Sequence, residues 1–213
     1  MDLLSHWQAV LAAIGALIAT AAGVTYIHSI IWGPTRPLRV TWGGWSLVGL
    51  LGVVSSFQGG AGIGLIATLP FVALVVITFV LSLNPKYGKP GGTKLDFLMG
   101  LVAGVVLLTQ ITVRYSPAVG ASVALVADLV FFWPTLREAW RQPELEALRP
   151  WAIGLAAEGL GLIALGNYSY ASAAYPTYVL FGNVAVIGVL IIQRPRHAVK
   201  TKKSPTAKAG AHK

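Results

Sequence analysis

Apolar residues fill seven runs along the chain, and short polar stretches separate the runs. A helix needs roughly 20 apolar residues to cross a bilayer, and these runs do not alternate apolar and polar positions as the strands of a membrane barrel do. An alternative with six membrane spans stays open, since only the polar, Gly-rich stretch QGGAG separates the second run from the third. We expect seven transmembrane helices, at residues 7–31, 40–57, 61–83, 95–113, 118–133, 151–168 and 171–192.

The composition places these helices in a membrane rather than in a soluble bundle. Hydrophobic residues make up 55% of the chain and charged residues 11%, and the mean hydropathy of +0.71 is far above that of soluble domains. The first run has no Lys or Arg before it and follows Asp2, which favours a membrane helix over a cleaved signal peptide. The absence of Cys excludes disulfides, a thiolate nucleophile and a thiolate-bound metal.

The Lys and Arg residues predict the orientation, because loops rich in them stay in the cytoplasm. With seven spans, all of the 16 Lys and Arg residues except Arg114 fall on the side of the C-terminus. The N-terminus is then outside, the C-terminus is cytoplasmic, and the plasma (inner) membrane is the expected location. Residues 194–213 form a Lys-rich tail that we expect to be disordered. Cytoplasmic retention explains its charge; anionic lipid headgroups are the alternative partner, and no nucleic acid is expected.

A Pro-Thr motif occurs twice, at residues 34–35 and 134–135, and each copy ends an apolar run. In the register of these motifs His28 corresponds to Asp128, each two helical turns before the threonine. A His and an Asp at matching depth are able to share a proton across an axis between repeats. The two segments are therefore interpreted as the first helices of two internal repeats.

A second pair of motifs extends the repeat. Trp45 precedes Pro70 by 25 residues, and Trp151 precedes Pro176 by the same 25. Spans one to three and five to seven then form two three-helix halves that are joined by span four. A single linking helix leaves both halves in the same orientation, related by a twofold axis along the membrane normal.

On these residues the chain resembles the SWEET and PQ-loop superfamily. The likeness rests on Pro34 and Pro134, near the cytoplasmic end of the first helix of each half, and on the aromatic and basic loop after each. Thr replaces Gln after both prolines, and the Pro-Asn pair of sugar-transporting members is absent at Pro70 and Pro176. The resemblance implies an all-α integral membrane fold divided into a first half (1–83), a cytoplasmic loop plus linker helix (84–114), a second half (115–193) and the tail (194–213).

Two acidic residues lie deep within the apolar runs. Asp128 stands five residues before Trp133, and Glu158 stands seven residues after Trp151. Ionisable groups at such depth normally face a bundle interior or a wet cavity, and small residues on the same helix faces indicate contact with protein rather than lipid. We predict that both acids bind solute or a coupling proton. A structural hydrogen bond inside the bundle is the alternative.

Further positions complete the predicted site. His28 and Asn183 are candidates for binding solute or a proton, with interfacial solvation of His28 and a helix–helix hydrogen bond of Asn183 as the alternatives. Four prolines are predicted as helix hinges: Pro34, Pro70, Pro134 and Pro176. Aromatic residues near the helix ends are expected to form interfacial belts, namely Trp32, Trp42, Trp45, Trp133 and Trp151 on the cytoplasmic side and Tyr168, Tyr170 and Tyr175 on the other.

These residues favour a transporter over an enzyme. A bilayer protein with a polar site between two halves is expected to move a small solute, with Asp128 as a proton-linked residue. A non-transporting sensor, receptor or assembly factor on the same scaffold is the alternative. Catalysis, a cofactor and a metal are not expected, because Asp128, Glu158 and His28 have no recognisable ligand spacing. Gly100 and Gly104 form a GxxxG motif, which is compatible with a homo-oligomer.

The orientation is testable with single cysteines, because the chain contains none of its own. Lys89→Cys and Ala209→Cys are expected to resist a membrane-impermeant thiol reagent in sealed, right-side-out cells and to react after permeabilisation. Tyr168→Cys, in an outer loop, is the positive control and should react in intact cells. Labelling of Lys89→Cys in sealed cells would reverse the predicted orientation.

Overall fold

The computed structural model describes residues 3–58, 64–90, 92–113, 115–165 and 168–203. Over these residues the chain forms seven α-helices and one 3₁₀ turn, Pro143–Leu145. The predicted all-helical fold is confirmed, and each predicted span coincides with one helix. The helices are α1 Leu3–Trp32, α2 Arg39–Gln58, α3 Gly64–Leu83, α4 Lys94–Thr112, α5 Pro117–Arg141, α6 Leu148–Ile163 and α7 Tyr170–Lys203.

Two helix boundaries need comment: the one between α2 and α3, which the sequence left open, and the end of α6, which differs from the prediction. Helices α2 and α3 pack against each other as two separate helices. Helix α6 ends at Ile163, short of the predicted residue 168, because the Leu165 N–H bonds to the Leu162 carbonyl at 3.2 Å in a tighter turn that closes the helix.

Helix α5 continues through Pro134, so the prediction that this residue ends the fifth span is wrong. A proline inside a helix removes one backbone hydrogen bond and crowds the preceding turn. Contacts of the last two turns offset that cost. Thr135 Oγ1 donates to Thr41 Oγ1 at 2.9 Å, and the Arg137 guanidinium forms an ion pair with Asp96 at the start of α4.

Helix α7 also extends further than expected, to Lys203, with Pro195 inside it. The Arg194 guanidinium donates to the carbonyl oxygens of Pro143, at 3.3 Å, and Glu146. These contacts hold the end of α7 against the 3₁₀ turn and the loop that follows. Helix α7 thus covers residues 194–203 of the predicted tail, and residues 204–213 lie outside the described part of the chain.

The helices pack as two equivalent groups of three. In the first group α3 packs on both α1 and α2, and in the second α7 packs on both α5 and α6. Over the described residues the backbones of α1 and α2 do not pack closely, nor do those of α5 and α6, and these pairs meet only through side chains such as the rings of Tyr26 and Trp42. Between the groups α1 packs on α6 and α2 packs on α5, while α4 lies against α2 and α5. Exchanging the two groups leaves the contacts among these six helices unchanged, as a twofold relation requires, whereas among the described helices α4 contacts only α2 and α5.

Large apolar side chains cover the outer surface of the helices. Leu17 of α1 is 71% exposed, Phe97 of α4 is 66% exposed and Phe181 of α7 is 63% exposed, the reverse of the pattern in soluble proteins. Among the described residues, three helical segments are long and apolar enough to cross a membrane: Trp7–Trp32, Pro117–Arg141 and Ser172–Val199. The surface and these segments fit a membrane-embedded helical protein.

A glycine sets the distance between the two groups at the α2–α5 contact. Gly44 of α2 faces the ring of Phe131 on α5, and a Cβ at this position would lie 2.1 Å from the ring carbons. Phe131 is buried with Leu51, Ala103 and Leu107, so the ring has little space to move. Only the missing side chain allows α2 and α5 to approach this closely.

Gly44→Ala is expected to destabilise the protein by about 1–3 kcal/mol, because the added methyl group overpacks the contact with Phe131. Gly188→Ala, in α7, is the matched control, since a Cβ there meets nothing within 4 Å. The better helix propensity of Ala should leave this control unchanged or more stable by up to about 1 kcal/mol. The melting temperatures of the two variants are measured in detergent. Equal values would contradict the tight α2–α5 contact.

Candidate functional site

A central cavity of about 690 Å³ lies between the two three-helix groups. Residues of α1, α2, α3, α5, α6 and α7 line it, together with Leu107 of α4. Its volume is in the range of small-molecule sites. The side chains that give the cavity its acidic, amide and phenolic groups are Asp128, Glu158, Asn183, Tyr26, Tyr175 and Tyr178.

Three predicted site residues meet in this cavity. Asp128 of α5, Glu158 of α6 and Asn183 of α7 all line it, although 30 residues separate the first two and 25 the last two. Pro176 of α7 lines it as well. The structure therefore assembles in one place the acids and the amide that the sequence marked separately as polar groups within apolar runs.

The other predicted positions lie elsewhere. The His28 side chain is exposed on α1, and Pro34 is exposed beyond the end of that helix. Pro70 is exposed on α3, and Pro134 is buried within α5 without lining the cavity. Of the four predicted hinge prolines, only Pro176 borders the central cavity.

The expected pairing of His28 with Asp128 is not formed, for a reason of helical register. Helix α1 lines the cavity with Ala22 and Tyr26, one turn apart, and His28 lies two residues further, on a different face. Helix α5 presents Ala124 and Asp128 in the same way. Helix α1 therefore faces the cavity with Tyr26 and not with His28. The Pro-Thr motif lies beyond the end of α1 but inside α5, so it does not mark equivalent positions in the two helices.

Asp128 is 5% exposed and is held by a tyrosine of the neighbouring helix. The Tyr175 hydroxyl donates to Asp128 Oδ1 at 2.9 Å. Tyr178 and Trp45 also lie close enough to the carboxyl group to interact with it electrostatically. Asp128 thus sits at the junction of α2, α5 and α7, where helices of both groups meet.

Glu158 has a different environment from Asp128. It is half-buried on α6 and, within the described part of the chain, no hydrogen bond to its carboxyl group is formed. One turn earlier, Gly154 leaves room for Asn183, because a Cβ there would lie 3.0 Å from Asn183 Oδ1. The Asn183 amide nitrogen donates to the Val179 carbonyl at 2.9 Å. Its position beside Gly154 brings the amide group to the cavity wall.

Aromatic rings form a continuous cluster along the cavity, which the sequence did not indicate. The ring centroids of Tyr26 and Trp42 are 4.7 Å apart, those of Trp42 and Trp45 are 5.1 Å apart, and those of Trp45 and Trp151 are 6.1 Å apart. Phe132 stacks on Trp45 at 6.2 Å. These rings occupy the interior between α1, α2, α5 and α6.

The interfacial interpretation is therefore wrong for part of the aromatic set. Trp32 and Trp133 are exposed, as expected of a belt, whereas Trp42, Trp45 and Trp151 line the cavity. On the other side, Tyr168 and Tyr170 are exposed, but Tyr175 points inward to Asp128. Position along the chain marks only the depth of an aromatic residue; the helix face that packs inward decides between the two roles.

Three polar groups of this lining have no hydrogen-bond partner. They are the indole nitrogens of Trp42 and Trp45 and the hydroxyl of Tyr178, all buried. Buried polar atoms are nearly always satisfied, by protein, by water or by a ligand. In a cavity of this size, such groups are available to a bound molecule.

A buried acid outside the long helices is hydrogen-bonded to two aromatic residues of the cavity wall. Glu146, in the loop before α6, accepts hydrogen bonds from the Tyr26 hydroxyl at 3.2 Å, the Trp151 indole nitrogen at 2.9 Å and the Ala147 amide at 3.1 Å. Burial raises the pKa of Glu146 above its usual value. The sequence did not single out Glu146, because it stands in a polar loop among other charged residues. Its position five residues before Trp151 was the only indication of a site role.

The cavity lining consists of acidic, amide and aromatic groups rather than a cluster of metal ligands, as far as the described residues show. Among the described residues, no group of three or more His, Asp or Glu is placed to hold a metal ion. The lining instead combines two carboxyl groups, an amide and aromatic rings. Comparison with family models, with curated proteins and with solved structures gives no match.

Glu146→Gln should change how stability depends on pH. A carboxyl group with a raised native pKa holds its proton to higher pH than the unfolded chain does, so its contribution is full at low pH and is lost as pH rises above 4.5 through the native pKa. The amide of Gln cannot ionise. Thermal melts from pH 4 to 8 should therefore show the wild type losing stability relative to the variant as pH rises. Parallel curves would contradict a buried, ionisable Glu146.

Proposed function

We propose that the protein is a small-solute transporter of the plasma (inner) membrane, with its solute site in the central cavity. The observation that carries this proposal is the cavity's position: it lies between two three-helix groups of equivalent packing and contains Asp128, Glu158 and Asn183. Secondary transporters built from repeats bind their solute at such a boundary. The likeness of the sequence plan to the SWEET and PQ-loop superfamily supports the same function.

We further propose that all seven helices cross the membrane, with the N-terminus outside. The apolar exterior includes helices too short for a membrane assignment by length and composition alone. Leu50 of α2, Leu69 of α3 and Leu101 of α4 are each exposed to about half of their surface. The loops that carry nearly all of the Lys and Arg residues then lie on one, cytoplasmic side.

In this proposal, transport requires the two groups to move against each other. The contacts that change are α1 on α6 and α2 on α5, since these join the groups on either side of the cavity. Glu146 ties α1 to α6 through Tyr26 and Trp151 at the proposed cytoplasmic end. Breaking those hydrogen bonds would open the cavity to the cytoplasm, and Pro176 gives α7 a place to bend.

Asp128 is the proposed proton-linked residue. It contacts Tyr175 of α7 and lies close to Trp45 of α2, so a change in its charge acts on both groups. A carboxyl group inside a bundle is able to exchange a proton as the cavity faces first one side and then the other. A receptor on the same scaffold would bind solute without moving it, and a measurement of uptake separates the two.

Asp128→Asn is expected to abolish uptake driven by a pH gradient into proteoliposomes, because the amide has no proton to exchange. The Asn oxygen still accepts from Tyr175, so the cost in stability should stay within about 1 kcal/mol. The measurement pairs thermal melts with a pH-sensitive dye inside the vesicles, and it screens sugars, amino acids and amines as solutes.

Two variants act as controls. Glu158→Gln tests whether the second acid of the cavity is also required, and His28→Gln, on an exposed face outside the cavity, should retain full uptake. Full, pH-dependent uptake by the Asp128→Asn variant would indicate that Asp128 has only a structural role. Solute binding without uptake in any of the proteins would contradict transport and favour the receptor.

A further inference from the structure

We infer that the central cavity binds an organic cation, with the positive group next to Asp128 and Glu158 and the apolar body among the aromatic rings. This inference rests on the proposed function for one point only, namely that the molecule in the cavity is also the one that is transported. The volume of the cavity, its acidic groups and its aromatic rings support the binding of a cation independently of transport.

The charge of the lining is entirely acidic. Asp128 and Glu158 line the cavity, and no Lys, Arg or His is among the described residues that do. Arg137 pairs with Asp96 and Lys89 pairs with Glu138, so these two basic residues form ion pairs away from the lining. A buried carboxylate without a cationic partner is costly. A cationic ligand supplies the positive charge that the described lining lacks.

The two acids act on the same part of the cavity. Tyr175 is bonded to Asp128 and also lies within electrostatic range of Glu158. Glu158 has no hydrogen-bond partner within the described residues and is half-buried, so its carboxyl group is free to contact a ligand. Tyr175 holds the Asp128 carboxyl group in one position, so its negative charge is fixed in place, and Glu158 supplies a second negative charge.

The rings next to these acids suit a cation with an apolar body. The Tyr175 and Tyr178 ring centroids are 6.2 Å apart, and Tyr178 lies edge-on to Phe132 at 6.5 Å. Ring faces attract cations, most strongly when water is excluded. Among the described side chains there is no metal cluster, and the volume of about 690 Å³ is that of a molecule rather than an ion.

Two other solute classes fit less well. The carboxylate of an amino acid would have no basic partner in this lining. A sugar needs many hydrogen-bonding groups, whereas the cavity wall is mainly apolar and aromatic, with Asn183 as its one amide among the described residues. The Trp45 nitrogen and the Tyr178 hydroxyl form no hydrogen bond by distance and angle, and both lie beside the Asp128 carboxyl group, so they are donors next to the proposed position of the positive group.

A matched pair of probes tests the charge directly. Choline and 3,3-dimethylbutan-1-ol have nearly the same shape and differ by a quaternary nitrogen in place of a carbon. Binding to the full-length protein in nanodiscs is followed by the fluorescence of the tryptophans, three of which line the cavity. We expect choline to bind about 30-fold more tightly than the alcohol, the ratio that corresponds to a desolvated cation–π contact of about 2 kcal/mol. Glucose should not bind.

Glu158→Gln should weaken choline binding by about tenfold or more without changing the affinity for the neutral alcohol. This variant breaks no hydrogen bond within the described residues, so it stays informative even if Asp128→Asn proves unstable. Glu144→Gln, outside the cavity, is the control and should bind choline as the wild type does. Equal affinity for both probes, or no effect of Glu158→Gln, overturns the inference.

The outcomes separate this inference from the proposed function. Binding of choline that depends on Glu158, without uptake of any cation into proteoliposomes, supports the cation site and contradicts transport. Uptake of glucose or another neutral solute, without choline binding, supports transport and overturns the cation site. Choline-dependent proton movement that is lost in Glu158→Gln supports both.

Discussion

The apolar exterior of the helices is the constraint on which the rest of the structure depends. Lipid-facing surfaces cannot solvate a carboxyl group or an amide, so deep polar side chains have to turn inward. Asp128, Glu158 and Asn183 come from three different helices, and all three line the same cavity. Their convergence leaves two acidic groups in a space without a basic residue among the described lining. In the proposed function, the need to balance that charge links the fold to a bound proton or cation.

Close contacts between the two groups define the cavity walls. Gly44 allows α2 to reach Phe131 of α5, and Gly15 brings α1 near the Ala157 carbonyl of α6, where a Cβ would lie 3.4 Å away. The same two helix pairs are the ones that join the groups. At one end Glu146 connects Tyr26 with the loop before α6. Rigid small-residue contacts and a breakable hydrogen-bond cluster therefore occur at the same boundary.

The sequence predicted the helices and the acids well, because both depend on local composition. A run of apolar residues marks a helix, and Asp128 or Glu158 within such a run has to face protein or water. Which of the other side chains face the cavity depends on how the helices pack, and the sequence does not show this. Trp45 was expected at the membrane interface, but its helix face turns inward. The repeat register predicted His28 opposite Asp128, whereas α1 faces the cavity with Tyr26 and His28 is exposed. The Pro-Thr motif lies inside α5 but beyond the end of α1.

The most direct test asks whether the cavity is hydrated and favours positive charge. Val179 lines the cavity, whereas Phe181, two residues further along α7, is exposed on the outer surface. In a chain without native cysteine, Val179→Cys should react with a cationic, membrane-impermeant methanethiosulfonate much faster than with its anionic counterpart, and Phe181→Cys should react with neither. Equal rates for the two reagents at Val179→Cys, or no reaction there at all, would contradict a water-filled, acidic cavity.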